Sequence, residues 1–314
     1  MSAPPNQKNI SYNINDELDL IEIFKILMDG KLIIILAFLV FSITAIFYSL
    51  SLPNIYQSNA ILAPAESSSL SKTSSQFSSI ASLAGLNTGS SADNKVSIGI
   101  EIVHSFGFFD EIINKNDNFL FLLIAPIDWD KERNELIINT EIYDVDSEKW
   151  VSTSPFSVNG VPSSQDAHRV FLKDFSMSEN EITGLVSTSF NHVSPYVATE
   201  LLNIVIMELN NKLRNEEILL ASKSKQYLEE EVSKAQLSDV RVAISDLIQQ
   251  QIGKIAMANS SPQYLFKVLA NPYPPERKFK PKRSIIVILY SMFGIFVGCS
   301  IVLLRKFIYQ SKRI

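Results

Sequence analysis

The pattern of apolar and polar residues divides the chain into two uncharged apolar runs and a long mixed segment between them. Residues 32–52 and 284–304 contain no charged side chain. An α-helix needs about 20 apolar residues to cross a hydrocarbon layer of about 30 Å. We therefore predict two transmembrane helices, flanked by residues 1–31 and 305–314 and separated by residues 53–283. The first run exceeds the apolar core of a signal peptide, which is about 7 to 15 residues, and it follows an acidic segment, so we do not expect cleavage.

The second predicted membrane helix carries a G-x-x-x-G motif, formed by Gly294 and Gly298. Glycines at this spacing leave one helix face without side chains, so another helix can pack closely against it. The alternative is that the motif has no role, since glycine is common in membrane helices. The sequence does not decide between these two interpretations.

A proline-rich basic segment, residues 271–283, leads directly into the second apolar run. Proline has no backbone N–H and restricts the residue before it, so the segment should be extended and stiff. We predict a strut that leads from a folded domain to the bilayer, with its basic residues among the lipid headgroups. The residues that define it are Pro272, Pro274, Pro275, Pro281, Lys282 and Arg283.

Basic residues near the apolar runs indicate the orientation of the chain. Lys25 and Lys31 precede the first run, and no Lys or Arg follows it before Lys72, so the N-terminus should be cytoplasmic. The basic tail at 305–314 indicates the same side for the C-terminus. The basic cluster at 277–283 argues for the opposite orientation, but the first helix usually dominates. We expect residues 53–283 to lie outside the cytoplasm.

The segment between the two runs is long enough for one sizeable domain and combines helical with strand-like patterns. An α+β fold is predicted, with a helix over 96–114 whose apolar residues are Ile98, Ile102 and Phe106. Strand patterns occur at 56–62, 136–142, 183–190 and 263–272. We predict that the first and last of these strands pair, so that one sheet holds both connections to the membrane helices.

The longest periodic stretch covers about 195–259. It would reach about 90 Å as one helix, and Ser238 with Asp239 offers a cap for a second helix, so a helical hairpin or sharp bend is expected there. The predicted apolar face comprises Val197, Leu201, Val205, Leu209, Leu213, Leu220, Tyr227, Leu228 and Val232, with Glu230 and Lys234 at i,i+4 spacing.

Two further segments have weaker patterns. Residues 1–14 are polar and are expected to be disordered, and an amphipathic helix with Leu20, Ile23, Phe24 and Leu27 should follow. The serine-rich tract at 66–94 is predicted to be a mobile loop with a short helix around Phe77, Ile80, Leu83 and Leu86.

Composition fits this organisation and offers no catalytic chemistry. The chain has 314 residues, 46% hydrophobic, and a formal net charge of -5, which suits two membrane helices around one aqueous domain. Its single cysteine, Cys299, excludes a disulfide framework. The histidines His104, His168 and His192 lack metal-ligand spacing, and D-x-D patterns at 128–130 and 144–146 are weak signals of a glycosyltransferase metal site. We expect no catalytic residue, cofactor, metal or nucleic-acid partner.

The order of these features resembles the Wzz-type polysaccharide co-polymerases, the chain-length determinants of bacterial inner membranes. The resemblance is carried by DELDLIEIFKILMDGK, LPNIYQSNAILAP, SSIASLAGL and the long helix. Its most specific part is FKVLANPYPPERKFKPKR with the glycine-containing helix that follows.

The resemblance implies a periplasmic α/β domain with a long helical protrusion, assembled into a homo-oligomeric ring that sets the length of lipopolysaccharide O-antigen. It implies the O-antigen polymerase as a partner, the growing polysaccharide and membrane lipids as further contacts, and no enzymatic activity. The alternative within the family is an export adaptor for exopolysaccharide or capsule that works with a separate tyrosine kinase. A two-helix sensor is a third hypothesis, disfavoured because residues 1–31 and 305–314 leave little room for an output domain.

Overall fold

The computed structural model describes residues 20–65, 91–151 and 157–311. The chain forms two compact units, of which the first combines Met1–Leu52 with Pro281–Ile314 and the second comprises Pro53–Lys280. The predicted disorder at 1–14 and the short helix predicted around Phe77 to Leu86 lie outside the described residues.

The first unit contains three described helices: α1 (Leu20–Asp29), α2 (Lys31–Ser51) and α9 (Arg283–Ser311). Helix α1 is the short helix expected after Asn15, and Gly30 separates it from α2. Helices α2 and α9 are long and apolar enough to cross a membrane, and most of their side chains are exposed. A helix in a soluble core buries such side chains, so their exposure fits a lipid environment.

The second unit is built on a four-stranded antiparallel sheet in the order β6–β7–β1–β8. Its strands are β1 (Tyr56–Pro64), β6 (Phe175–Glu179), β7 (Val186–His192) and β8 (Phe266–Ala270). Strand β1 pairs with β8 in a register that places Ile61 opposite Ala270 and Leu62 opposite Val268. The predicted pairing of the strand after the first helix with the closing strand is confirmed.

The second unit also contains helices, some of which cover one face of this sheet, and two small ribbons. The helices are α3 (Ser91–His104), α4 (Phe106–Lys115), α5 (Phe119–Ile124), α6 (Ser164–Asp174), α7 (Pro195–Lys234) and α8 (Ser238–Ser260). The ribbons pair β2 (Pro126–Asp130) with β3 (Glu135–Ile138) and β4 (Tyr143–Asp144) with β5 (Lys149–Trp150). The mixed helix and strand content predicted from the sequence is confirmed.

The core lies between the helices and the inner sheet face, where every second side chain of β1 and β7 is buried. Phenylalanine fills much of it: Phe108, Phe109, Phe119, Phe171, Phe190 and Phe266 are all fully buried. Many of these rings meet in edge or tilted contacts, which add to the stabilisation from area burial.

The long periodic stretch forms two helices, as the hairpin interpretation predicted. Ser194 caps α7, with its hydroxyl accepting from the Val197 N–H, and Pro195 occupies the first turn, where its missing N–H costs nothing. The chain leaves helical conformation after Lys234, and α8 packs back against α7.

The predicted apolar face of α7 holds only in its N-terminal half. Val197, Leu201, Val205 and Leu209 are buried against the core, whereas Leu220 and Tyr227 are exposed. Beyond the core the described structure offers this helix few elements other than α8 to pack against, so a continuous apolar face is wrong there. The pairing predicted at i,i+4 for Lys234 is also wrong, because Lys234 contacts Glu231.

Two further predictions required correction. The helix expected over 96–114 is broken at Ser105, whose extended backbone starts α4 and whose hydroxyl accepts from the Phe108 N–H. The break changes the buried face, so Ile98 and Phe106 are exposed. The strand expected over 136–142 ends at Ile138, because the Asn139 side chain accepts from the Glu141 N–H and forms a turn.

Candidate functional site: the helix pair and the proline strut

Helices α2 and α9 pack along their lengths as an antiparallel pair. Contacts run from Gly298 against Ile34, through Gly294 against Phe41, to Tyr290 against Tyr48. Both glycines are buried, although their neighbours on the helix are mostly exposed. The structure therefore places the predicted packing motif against the other apolar helix of the same chain.

Close approach of the two backbones explains why glycine occupies these positions. A Cβ atom at Gly294 would lie 2.8 Å from the Phe41 Cβ, and one at Gly298 would lie 2.9 Å from the Ile34 Cα. The second contact involves backbone, which moves only if the helices separate. A larger residue at either position would force the pair apart.

A polar contact between the helices lies one turn from Gly294. The hydroxyl oxygens of Ser42 and Ser291 are 2.7 Å apart, and each is also within hydrogen-bond distance of a carbonyl oxygen one turn earlier in its own helix. One hydroxyl can donate across the pair while the other donates to its own helix. Such a bond fixes the register of two helices without exposing a polar group to lipid.

Arg283 binds the C-terminal end of α2. Its Nε donates to the Ser49 carbonyl at 3.0 Å and its Nη2 to the Leu52 carbonyl at 3.4 Å. A cation at this end of a helix satisfies carbonyls that have no intrahelical partner and complements the helix dipole. The sequence analysis assigned Arg283 to the headgroup region and missed this contact. Arg283 is 231 residues from Leu52 in the sequence, and a local sequence pattern cannot predict a contact over that separation.

The strut has no regular secondary structure from Asn271 to Phe279. Three hydrogen bonds connect its end to Asn54 and Ile55, near the start of the second unit. The Ile55 N–H donates to the Lys280 carbonyl, the Phe279 N–H donates to the Ile55 carbonyl, and Lys278 Nζ donates to Asn54 Oδ1. Both chain ends of the second unit are therefore hydrogen-bonded to each other.

A buried pair of hydroxyls holds the middle of the strut. Ser58 Oγ, on the inner face of β1, donates to the Tyr273 carbonyl at 3.1 Å, and Thr199 Oγ1 of α7 lies 3.1 Å from Ser58 Oγ. The Thr199 hydroxyl is also 2.9 Å from the Pro195 carbonyl of its own helix. Burial makes the Ser58 contacts valuable, since an unpaired buried hydroxyl is costly. Pro274 then lies against the outer side of α7, while Pro272 and Pro275 are partly buried.

Pro281 and Lys282 belong to the first unit, immediately before α9. The Lys282 carbonyl accepts from the N–H groups of Ile285 and Ile286, so helical hydrogen bonding begins directly after Pro281. Lys282 is exposed, and the headgroup contacts predicted for it remain a prediction.

An ion-pair cluster that sequence reasoning missed connects α4 to α7. Glu111 lies 2.7 Å from Lys115 and 2.8 Å from Lys212, and Lys115 also lies 3.5 Å from Glu208. The hydrogen bonds from Lys115 and then Lys212 lower the pKa of Glu111. The cluster is partly exposed, so each ion pair that links α4 to α7 contributes little to stability.

The histidines and D-x-D motifs form no metal site among the described residues. Buried His192 accepts from the Ser194 N–H at Nδ1 and donates from Nε2 to the Leu122 carbonyl, and burial lowers its pKa to about 4. Both of its ring nitrogens therefore have hydrogen-bond partners within the core. Asp130 and Asp144 accept from backbone N–H groups of the turns that follow them.

Comparisons with known proteins found a matching family model and similar solved structures. Residues 16–115 match the family model described as Wzz, chain length determinant protein. No curated protein matches the chain. Among solved structures, a full-length bacterial polysaccharide co-polymerase has 14% sequence identity and a TM-score of 0.40, covering 93% of this chain and 99% of its own. A fragment of WzzB, a polysaccharide co-polymerase from Salmonella Typhimurium, has 11% identity and a TM-score of 0.29, covering 72% of this chain and 100% of its own.

Both TM-scores are low, so the assignment rests on the sequence match. That match spans α1, α2, β1, α3 and α4, and therefore includes the first apolar helix and the strand that pairs with the closing strand. The resemblance inferred from the sequence is confirmed: residues 16–115 are similar to the Wzz chain length determinant family.

Proposed function

We propose that this protein is a non-enzymatic regulator of surface polysaccharide chain length that acts on lipopolysaccharide O-antigen as an inner-membrane homo-oligomer together with the O-antigen polymerase. The single observation that carries the proposal is the family match at residues 16–115. The arrangement of two apolar helices around one large unit supports it, because that arrangement anchors a domain of more than 200 residues at a membrane surface.

In this proposal both termini are cytoplasmic, the second unit is periplasmic, and α7 with α8 forms a helical protrusion. The basic residues Lys25 and Lys31 before α2 support the orientation. Exposed apolar side chains beyond the core support contacts between copies: Leu219, Leu220, Leu237 and Val242.

The orientation is tested by cysteine labelling in a chain that carries Cys299→Ser. A cysteine at Ile182, which is 95% exposed in the second unit, should react with a membrane-impermeant maleimide in intact spheroplasts. A cysteine at Met28, exposed in α1, should react only after lysis. The reverse pattern would reject the proposed orientation.

The function is tested by the gel profile of lipopolysaccharide from cells with and without the chain. We expect deletion to remove a modal length cluster while polymer is still made. An unchanged lipopolysaccharide profile with altered capsule or exopolysaccharide would instead indicate the export adaptor. No change in any polysaccharide would reject the family-based proposal and return attention to the sensor hypothesis.

A further inference from the structure

A shallow groove of about 410 Å³ lies in the second unit between the outer side of α7 and the strut. Tyr196, Glu200, Asn203 and Met207 form its α7 side, at helical spacing, and Pro274 of the strut forms the opposite side. The Ser58 and Thr199 hydroxyls hold the strut in place through the Tyr273 carbonyl. The groove is therefore formed by an ordered helix and a strut segment attached to it.

Aromatic rings stand at one end of the groove. Tyr196 is 53% exposed, and its ring centroid is 6.1 Å from that of Trp129, which in turn packs edge-on against Tyr56. The Trp129 indole N–H donates to Asn134 Oδ1 at 3.1 Å, which fixes the orientation of the ring. Neighbouring aromatic rings that are partly exposed offer a flat apolar surface on which a ligand can pack.

The chemistry of the groove combines apolar ring surface with a carboxylate and an amide. A sugar ring presents the same combination in complementary form, since its C–H face packs on aromatic rings and its hydroxyls both donate and accept hydrogen bonds. Glu200 accepts from hydroxyl groups, and the Asn203 amide both donates and accepts. The described lining contains no Lys or Arg, which argues against an anionic ligand such as a phosphate.

We propose that this groove binds a neutral sugar unit of the polysaccharide whose length the protein regulates. The inference rests on the proposed function, and it adds direct sugar contact by Tyr196, Glu200 and Asn203, with Trp129 supporting the Tyr196 ring. The size of the groove favours a small unit, because ligand pockets span about 300–1,000 Å³. A stable protein interface instead buries about 1,200–2,000 Å² and needs a far larger surface.

Tryptophan fluorescence tests binding, because the chain has only two tryptophans and one of them, Trp129, packs against Tyr196 of the groove. The full-length Trp150→Phe chain in nanodiscs keeps Trp129 as the single reporter, and phenylalanine at 150 preserves the ring contact with Tyr143. The probe is delipidated surface polysaccharide from the source cells, released by mild acid and size-fractionated. We expect a saturable change in Trp129 emission.

Two variants and a matched control locate the binding. Tyr196→Ala and Asn203→Ala should each weaken binding about tenfold, since each removes one ligand contact. Tyr227→Ala is the control, because Tyr227 lies on the same helix and is 62% exposed but lies outside the groove lining. It should bind as the parent chain does.

The proposal is overturned if the parent chain shows no saturable response, or if Tyr196→Ala and Tyr227→Ala bind equally. It is also overturned if Tyr196→Ala changes the oligomer mass by light scattering while polysaccharide binding is unaffected, which would assign the groove to a protein partner. Loss of the modal length on deletion, together with absent binding, would reject the groove and leave the proposed function intact. Binding that depends on Tyr196, with no polysaccharide changed on deletion, would reject the proposed function and leave the groove assignment standing.

Discussion

Asn210 offers a test of how the returning chain is held in the second unit. Its side chain is buried in α7, where Oδ1 accepts from the Leu265 and Phe266 N–H groups, both at 2.9 Å. Its Nδ2 donates to the Phe266 carbonyl and to the Ile206 carbonyl, both at 3.2 Å. One amide thus pairs with the start of β8 much as a neighbouring strand would.

Asn210→Ala removes these partners and leaves two buried N–H groups without an acceptor. Each such group costs about 1–3 kcal/mol, and partial entry of water lowers the sum to about 3 kcal/mol. That loss corresponds to about a hundredfold increase in local opening. Strand β8 should therefore open far more often, although the rest of the sheet stays paired.

Hydrogen–deuterium exchange of the full chain in detergent, followed by mass spectrometry of peptides spanning 263–270, measures this opening. Asn211→Ala is the matched control, because Asn211 is the next residue and is partly exposed, so we expect less than about 0.5 kcal/mol there. Asn210→Asp keeps the acceptors but faces two carbonyls, so its exchange should slow as acid protonates the new carboxylate. If the exchange rate of these peptides in Asn210→Ala is within threefold of the parent rate, a difference of about 0.6 kcal/mol in opening free energy, the reasoning is refuted.

Three further predictions concern the helix pair, the buried His192 and the partly buried Asp174. In a Cys299→Ser chain, Ser42→Cys with Ser291→Cys should form a disulfide on oxidation. Adding Gly294→Leu with Gly298→Leu should lower the yield of this disulfide, because larger residues force the helices apart. The negative control is Ser42→Cys with Ser300→Cys, since position 300 lies about 13 Å further along α9. Burial lowers the pKa of His192 from 6.5 to about 4, so the second unit should lose about 3 kcal/mol of stability as pH falls through that window, and His192→Gln should abolish the loss in denaturant titrations. Burial raises the pKa of Asp174 above its ordinary 3.8, so its ionisation destabilises the folded state as pH rises; Asp174→Asn should stabilise at pH 7, with the gain vanishing near pH 3.8.

Elements with strong local signals were predictable from the sequence. The two apolar helices and strands β1, β7 and β8 follow from hydrophobic runs and alternation. The break between α7 and α8 was expected from the length of the periodic stretch, but the cap predicted from Ser238 and Asp239 is wrong, because Leu237 is the N-cap of α8 and makes no side-chain capping bond. The G-x-x-x-G motif indicated a helix contact, but the sequence could not say that the partner would be α2 of the same chain. Helix contacts are set by which surfaces meet, and a spacing rule describes only one of the two surfaces.

The errors arose where tertiary contacts decide the outcome. Ser105 separates α3 from α4 because its cap competes with helix continuation, and one such residue changes which side chains face the core. The polar residues Thr199 and Asn210 also lie on the buried side of α7, where an apolar pattern was expected. The partners of Asn210 in Leu265 and Phe266 follow it by 55 and 56 residues, and the Ser58 partner of Thr199 precedes it by 141 residues. No local sequence pattern could therefore have predicted these contacts.

These two polar residues explain how α7 organises the second unit. Asn210 holds the start of β8, and Thr199, three turns earlier, contacts the Ser58 hydroxyl that binds the strut. The chain between these two attachments includes β8 itself, which pairs with β1. Strand, strut and helix therefore constrain one another within the unit. Because Pro274 lies directly after the attached Tyr273 and also lines the groove, the width of the groove depends on the same hydroxyl contacts that hold the strut.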